Sequence, residues 1–202
     1  MSLMPISTDI ETSGLDKIKC GLWQIGAIDL SKPEDYFLQE GRIDDEDKAE
    51  EGALKVIGKT EAELRDKKRQ SQKQLLENFF EWVKKRDMKN PLCQNPQFDL
   101  VFLEIKANKY ELKNPFHYRA FNLHDYAQSK YYSLYGHFLI KDEHSDMGLT
   151  NIIKLCGMED NRKAHNALED AKLTGECFFR LINGKNVFPE YSKYPVPEEL
   201  KK

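Results

Sequence analysis

The sequence lacks the marks of several protein classes. Four of its 202 residues are cysteine, and no two form a Cys-x-x-Cys pair. That argues against a disulfide scaffold and against a zinc module of ordinary spacing. Cys20, Cys93, Cys156 and Cys177 therefore read as reduced thiols. No stretch approaches the roughly 18 apolar residues that a bilayer span needs. The first residues also lack the basic region and apolar run of a secretory signal. Together these absences predict a cytoplasmic protein with no membrane attachment. Positive charge is not in excess, since 31 Lys and Arg against 34 Asp and Glu leave a net charge of −3. Without a global basic field, a nucleic acid partner would have to be gripped locally, in a small groove and through metal ions. The chain contains no internal repeat and no low-complexity tract.

What is present is the composition of a folded protein, 40% hydrophobic and 32% charged, in a length that suits one domain with a full core. Leu22 to Leu30 is rich in strand formers, and a further short strand is expected from Asp35 to Gln39, giving an antiparallel meander with the opening strand. Residues 44 to 72 are strongly charged and read as a solvated face, with Lys67, Lys68 and Arg69 able to touch phosphate. Within them, Ala49 to Ile57 has helical composition ending at Gly58, and Thr60-Glu61-Ala62-Glu63 is a capping box. Leu75, Leu76, Phe79, Phe80 and Val83 have amphipathic helical spacing.

A short strand is expected at residues 90 to 95. A helix from about Pro96 follows, with Phe98, Val101, Phe102 and Ile105 buried. A strand at His117 to Asn122, a helix at His124 to Tyr131 and a loop from Tyr132 to Met147 come next. Helices at Leu149 to Leu155 and Ala167 to Ile182 complete the pattern. Strands followed by alternating helices and strands predict the α/β class, a mixed sheet flanked by helices in one domain over residues 1–185. Residues 186–202, with Pro189, Pro195 and Pro197, are expected as an extended tail.

Three places carry chemistry. Asp9 and Glu11 stand two apart at the end of the first strand, so both project from one face. Like charges that close need a proton or a cation, and Mg²⁺ or Mn²⁺ takes oxygen ligands of this kind. By itself an acidic pair before the Thr12-Ser13-Gly14 turn is more often a solvated loop. Asp99 lies in the first turn of a predicted helix, where the dipole alone would favour an acid. His165 precedes the last long helix and Asp170 lies about a turn and a half beyond, a pairing that could set a general base beside a metal site.

The blocks Asp9-Ile10-Glu11-Thr12-Ser13-Gly14-Leu15, Asn95-Pro96-Gln97-Phe98-Asp99 and Ala164-His165-Asn166-Ala167-Leu168-Glu169-Asp170-Ala171, in this order, resemble the DEDDh family of 3′-to-5′ exonucleases. The resemblance spans residues 4 to about 183 and implies the ribonuclease H-like fold, with antiparallel and parallel strands in one sheet. It implies Asp9, Glu11, Asp99 and Asp170 as ligands of two Mg²⁺ or Mn²⁺ ions and His165 as general base. Thr12, Gly14, Leu15 and Phe98 become the residues that meet the terminal nucleotide. The implied reaction removes nucleoside 5′-monophosphates from single-stranded 3′ ends, with DNA favoured. The alternatives are an RNA-directed enzyme akin to RNase T or oligoribonuclease, or a non-catalytic nucleic-acid-binding module. A polymerase or repair partner and the oligomeric state are left open. Two departures stand out. Gln94-Asn95 replaces the His-Asn of many members, and Ser13 replaces a second threonine.

Overall fold

The computed structural model describes residues 3–162 and 165–201. Its frame is a five-stranded sheet of β1 (Ile6–Thr12), β2 (Leu22–Asp29), β3 (Tyr36–Glu40), β4 (Pro91–Cys93) and β5 (Phe121–Asn122) in the order β3-β2-β1-β4-β5. The β1–β2 and β2–β3 pairings are antiparallel, and β1–β4 and β4–β5 are parallel. The mixed sheet expected from sequence is therefore present. Its central strand is β1, the one that carries Asp9 and Glu11.

Because side chains alternate along a strand, each face of the sheet buries its own apolar set. On one face Ile6, Ile10, Ile25, Ala27 and Phe37 pack against α3 (Gln72–Lys84) and α4 (Pro96–Lys109). On the other, Ile28 and Leu92 pack with α5 (Leu123–Tyr135), α6 (Leu149–Leu155) and α7 (Ala167–Asn183). Two short helices, α1 (Glu51–Ile57) and α2 (Glu61–Leu64), complete the 44–72 region. Gly58 caps α1 in the left-handed conformation, and the Thr60–Glu63 capping box makes both of its hydrogen bonds. Arg69 pairs with Glu40 and lies 5.7 Å from the Trp23 ring centroid, so this cation serves the fold. No helix among the described residues is long and apolar enough to cross a membrane.

Several local expectations change. In α4 the buried stripe is Asp99, Phe102, Leu103, Lys106 and Ala107, while Val101 is exposed. This stripe is displaced by one residue, about 100° of helix rotation, from the one that apolar spacing suggests. The cause is that two of its members are polar. Asp99 turns to the sheet, and Lys106 forms a buried ion pair with Asp47 at 2.9 Å. The strand expected from His117 shrinks to Phe121–Asn122. Helix α5 continues to Tyr135, where Gly136 ends it with φ 77°, and the rest of the expected loop holds a small hairpin, β6 (Ile140–Lys141) and β7 (His144–Ser145). Past residue 186 the chain is not simply extended. It forms 3₁₀ turns at Pro189–Tyr191 and Glu198–Leu200 and buries Phe188, Val196 and Leu200 in the core.

Candidate active site

The site is assembled where α7 begins, against the end of β1. Asp9 pairs with Gly26 of β2 and Glu11 with Gln24, so the acids and these two residues share a face. Gly26 leaves room for α7, since a Cβ there would lie 2.2 Å from the backbone of both Ala167 and Leu168. The Gln24 side-chain carbonyl accepts the Ala167 N–H at 2.8 Å, while its amide donates to Glu40 at 3.0 Å. One turn on, the Ser7 hydroxyl donates to the Ala171 carbonyl at 2.7 Å. Asn166 caps the helix by accepting from Leu168 and Glu169. These contacts fix the first turns of α7 on the sheet and bring Asp170, buried, to β1. From the opposite face Asp99 arrives in the first turn of α4, also buried.

The electrostatics record how tightly the acids are gathered. Burial, followed by the charges of Asp99, Asp170 and Glu11, holds the Asp9 carboxyl well above the usual range. Burial and then Asp170 and Asp99 push Glu11 up to about 8. Asp99 rises to about 7 through burial, although backbone hydrogen bonds, Ile10's among them, work against the shift. Glu11 Oε1 is buried with no hydrogen-bond partner among the described residues. An orphaned carboxylate oxygen in a cluster short of positive charge is the donor set that a hard divalent cation satisfies. Glu11, His165 and Asp170 each offer a ligand atom, all within 4.8 Å of one another. The residues present therefore fit a metal, although His165 stands in the tightest group where four carboxylates were expected.

His165 is exposed at the rim, with Nδ1 3.5 Å from Asp170 Oδ2 and its backbone N–H directed to the Val56 carbonyl at 3.4 Å. Arg162, on the same loop, reaches Asp170 Oδ1 through Nη1 at 2.9 Å. Its other edge is held by Asp160 at 2.9 and 2.7 Å and by Thr150 at 3.2 Å. No sequence motif marks Arg162 or Gln24; both emerge only from the fold.

A cavity of about 600 Å³ opens beside the acids, with Asp9, Glu11, Asp99 and His165 on its polar side and Leu15 and Phe98 on its apolar side. Leu15 is 73% exposed at the mouth of this cavity. Its loop is held firmly: the Leu15 N–H donates to Glu50 at 3.0 Å, and the Thr12 hydroxyl donates to the Gly14 carbonyl at 2.8 Å. A Cβ at Gly14 would lie 2.5 Å from both Cys20 Sγ and Glu50 Cδ, so a side chain there would displace Glu50, the acceptor of the Leu15 N–H. Lys17 Nζ lies 5.1 Å from the Phe98 ring centroid. All nine residues expected at the site from sequence thus fall in or around one opening.

The model of the RNase T exonuclease family matches residues 6–178. The chain belongs to this exonuclease family. Ribonuclease T of Marinobacter nauticus is 29% identical over 209 residues, covering 96% of this chain and 87% of the relative. The nuclease domain of 3′hExo, a DEDDh member solved with rAMP bound, superposes with a TM-score of 0.65 at 17% identity, covering 95% of this chain and 94% of that one. Escherichia coli exonuclease I, solved with an oligonucleotide, gives a TM-score of 0.69 at 17% identity, covering 87% of this chain and 40% of that one. At such identities the structural likeness speaks for the fold, which is ribonuclease H-like and a single domain. The chain is thus an exonuclease by family.

Proposed function

We propose that the enzyme hydrolyses single-stranded nucleic acid from the 3′ end, releasing nucleoside 5′-monophosphates, with RNA as the preferred substrate. The observation that carries this reading is the meeting of Asp9, Glu11, Asp99 and Asp170 beside His165 at the mouth of a half-apolar cavity. Two Mg²⁺ or Mn²⁺ ions held by the four carboxylates would supply Lewis acidity at the scissile phosphate. Leu15 and Phe98 form the apolar wall against which a terminal base can lie irrespective of its identity, as sequence-tolerant stacking requires. Thr12 and Gly14 hold Leu15 in place through the turn they share. His165 is exposed at the rim and tethered through its backbone, so its imidazole can reach an attacking water and take its proton.

RNA is favoured over the DNA expected from sequence because the relative in Marinobacter nauticus is a Ribonuclease T. The test is release of mononucleotides from 3′-labelled single-stranded RNA and DNA of equal sequence, with Mg²⁺ or Mn²⁺ present. RNA should be degraded faster, Asp9→Asn should abolish release, and His165→Ala should lower the rate by about 10²–10⁴-fold. Equal rates for wild type and Asp9→Asn would end the proposal, and faster DNA hydrolysis would reverse the sugar preference.

A further inference from the structure

A second cavity, of about 790 Å³, adjoins the first at His165. The two openings share Val56 and His165 as their common wall. Their charges differ in sign. The catalytic opening is lined by Asp9, Glu11, Glu50 and Asp99. The second is lined by Lys55, Lys154 and Arg162 against Glu159 and Asp160. Of those two acids, Asp160 is already bonded by Arg162.

Lys55 and Lys154 come from different elements, α1 and α6, and both are exposed. Neither has an ion-pair partner among the described residues. Each sits in the last turn of its helix, where a cation offsets the dipole. That role needs only proximity to its own helix end, and does not explain why two separate helices present lysines to one cavity. Arg162 marks the boundary: its guanidinium lies between Asp160 on the cavity side and Asp170 of the acid cluster.

Resting on the reading above, we propose that this cavity carries the sugar–phosphate backbone of the substrate strand 5′ to the scissile bond, with Lys55 and Lys154 meeting its phosphodiesters. A strand whose last nucleotide lies against Leu15 and Phe98 places its scissile phosphate at the acids, and the next opening beyond His165 receives the phosphates that follow. The sign change fits this division. The acid cluster needs cations of its own, whereas a polyanionic strand with none needs lysines. It also explains how a chain of net charge −3 holds a polyanion, through a local pair of cations instead of a broad basic face.

The experiment measures binding of a 5′-fluorescein-labelled single-stranded RNA decamer by anisotropy in the Asp9→Asn background, with Mg²⁺ and over a range of salt. A dinucleotide, which has no phosphodiester upstream of the scissile one, serves as competitor in a parallel series. Adding Lys55→Ala and Lys154→Ala should weaken decamer binding by about 10-fold and reduce the salt slope by about 1.4, the loss of two single-strand phosphate contacts at roughly 0.7 each. The effect on the dinucleotide should be several-fold smaller, and Lys55→Glu with Lys154→Glu should weaken the decamer further. Both side chains are exposed, so unchanged thermal unfolding is expected in each variant. An unaltered salt slope, or an equal loss for both ligands, would overturn the assignment. Hydrolysis by the wild-type enzyme, measured separately, reports on the exonuclease reading itself, so failure of one is distinguishable from failure of the other.

Discussion

The alignment of the proposed catalytic residues on β1 with those at the start of α7 depends on an atom that is missing. Gly26 has no left-handed φ, so nothing in its backbone requires glycine; the requirement is space. In Gly26→Ala the new Cβ would stand 2.2 Å from the Ala167 carbonyl carbon and the Leu168 nitrogen, both of them main-chain atoms that cannot rotate away. Ordinary carbon contacts need about 3.5–4.0 Å, so the start of α7 must retreat by roughly 1.3–1.8 Å. That movement also stretches the 2.8 Å bond from Ala167 N–H to Gln24. Overpacking of this kind costs about 1–3 kcal/mol, and the lost hydrogen bond about 1 kcal/mol more.

For a protein of this length, that is a fall in Tm of roughly 4–16 °C. The catalytic effect should be larger, because Asp170 and His165 move with α7 while Asp9 and Glu11 stay on β1. A displacement of about 1 Å can cost 10²-fold in rate, so kcat should fall by at least that factor. KM should change little, since Leu15 and Phe98 belong to neither α7 nor β2. Gln24→Ala, which removes the Ala167 bond and the one to Glu40 without inserting an atom, should lower Tm but reduce kcat less than Gly26→Ala does. The assay is mononucleotide release from single-stranded RNA alongside thermal unfolding. Wild-type kcat and Tm in Gly26→Ala would refute the claim that this close approach sets the geometry of the site.

Two further outcomes follow from the electrostatics. Glu11 at about 8 and Asp99 at about 7 hold their protons more tightly in the folded protein than at their ordinary values of 4.5 and 3.8. Their stabilising contribution is complete below the unfolded values and is lost as pH rises through the folded ones, so the Tm of chelator-treated protein should decline between about pH 4.5 and 8. Glu11→Gln should flatten that decline and Mg²⁺ or Mn²⁺ at pH 8 should reverse it; a decline of the same steepness in the variant would contradict the assignment. Arg180 and Glu176 form a fully buried pair at 2.8 Å, in which Arg180 also donates to the carbonyls of Cys156, Tyr191 and Tyr194 and Glu176 accepts from Val187 and Phe188. Arg180→Met strands the buried carboxylate and should cost about 3–5 kcal/mol in urea unfolding, with early proteolysis between residues 187 and 194; a loss below about 1 kcal/mol would show that the segment is held by its apolar contacts alone.

The difference between what the sequence discloses and what it hides has a physical basis. Periodicity and caps are local properties, so α3, the Gly58 stop and the Thr60–Glu63 box stand where their spacing puts them. The three acidic blocks are legible for the same reason, since each carries its own short pattern. Residues whose work lies in a relation across the fold carry no such mark. Gln24 reads as a polar residue in a strand until Ala167 is found above it, and Arg162 reads as loop charge until Asp170 is found beside it. The rotation of α4 is the instructive case. Apolar spacing assumes that whatever is buried is hydrophobic, and Asp99 and Lys106 violate that assumption on the same stripe. Lys106 has Asp47 to neutralise it, at 2.9 Å, whereas Asp99 faces other acids. A fold that buries one carboxylate against another accepts a destabilising arrangement that Arg162, bonded to Asp170, relieves only in part, and the remedy we propose is a cation from outside. The stripe that periodicity misplaces is therefore the one that carries a proposed metal ligand: the helix is turned to bring Asp99 to β1, and Val101 is left exposed.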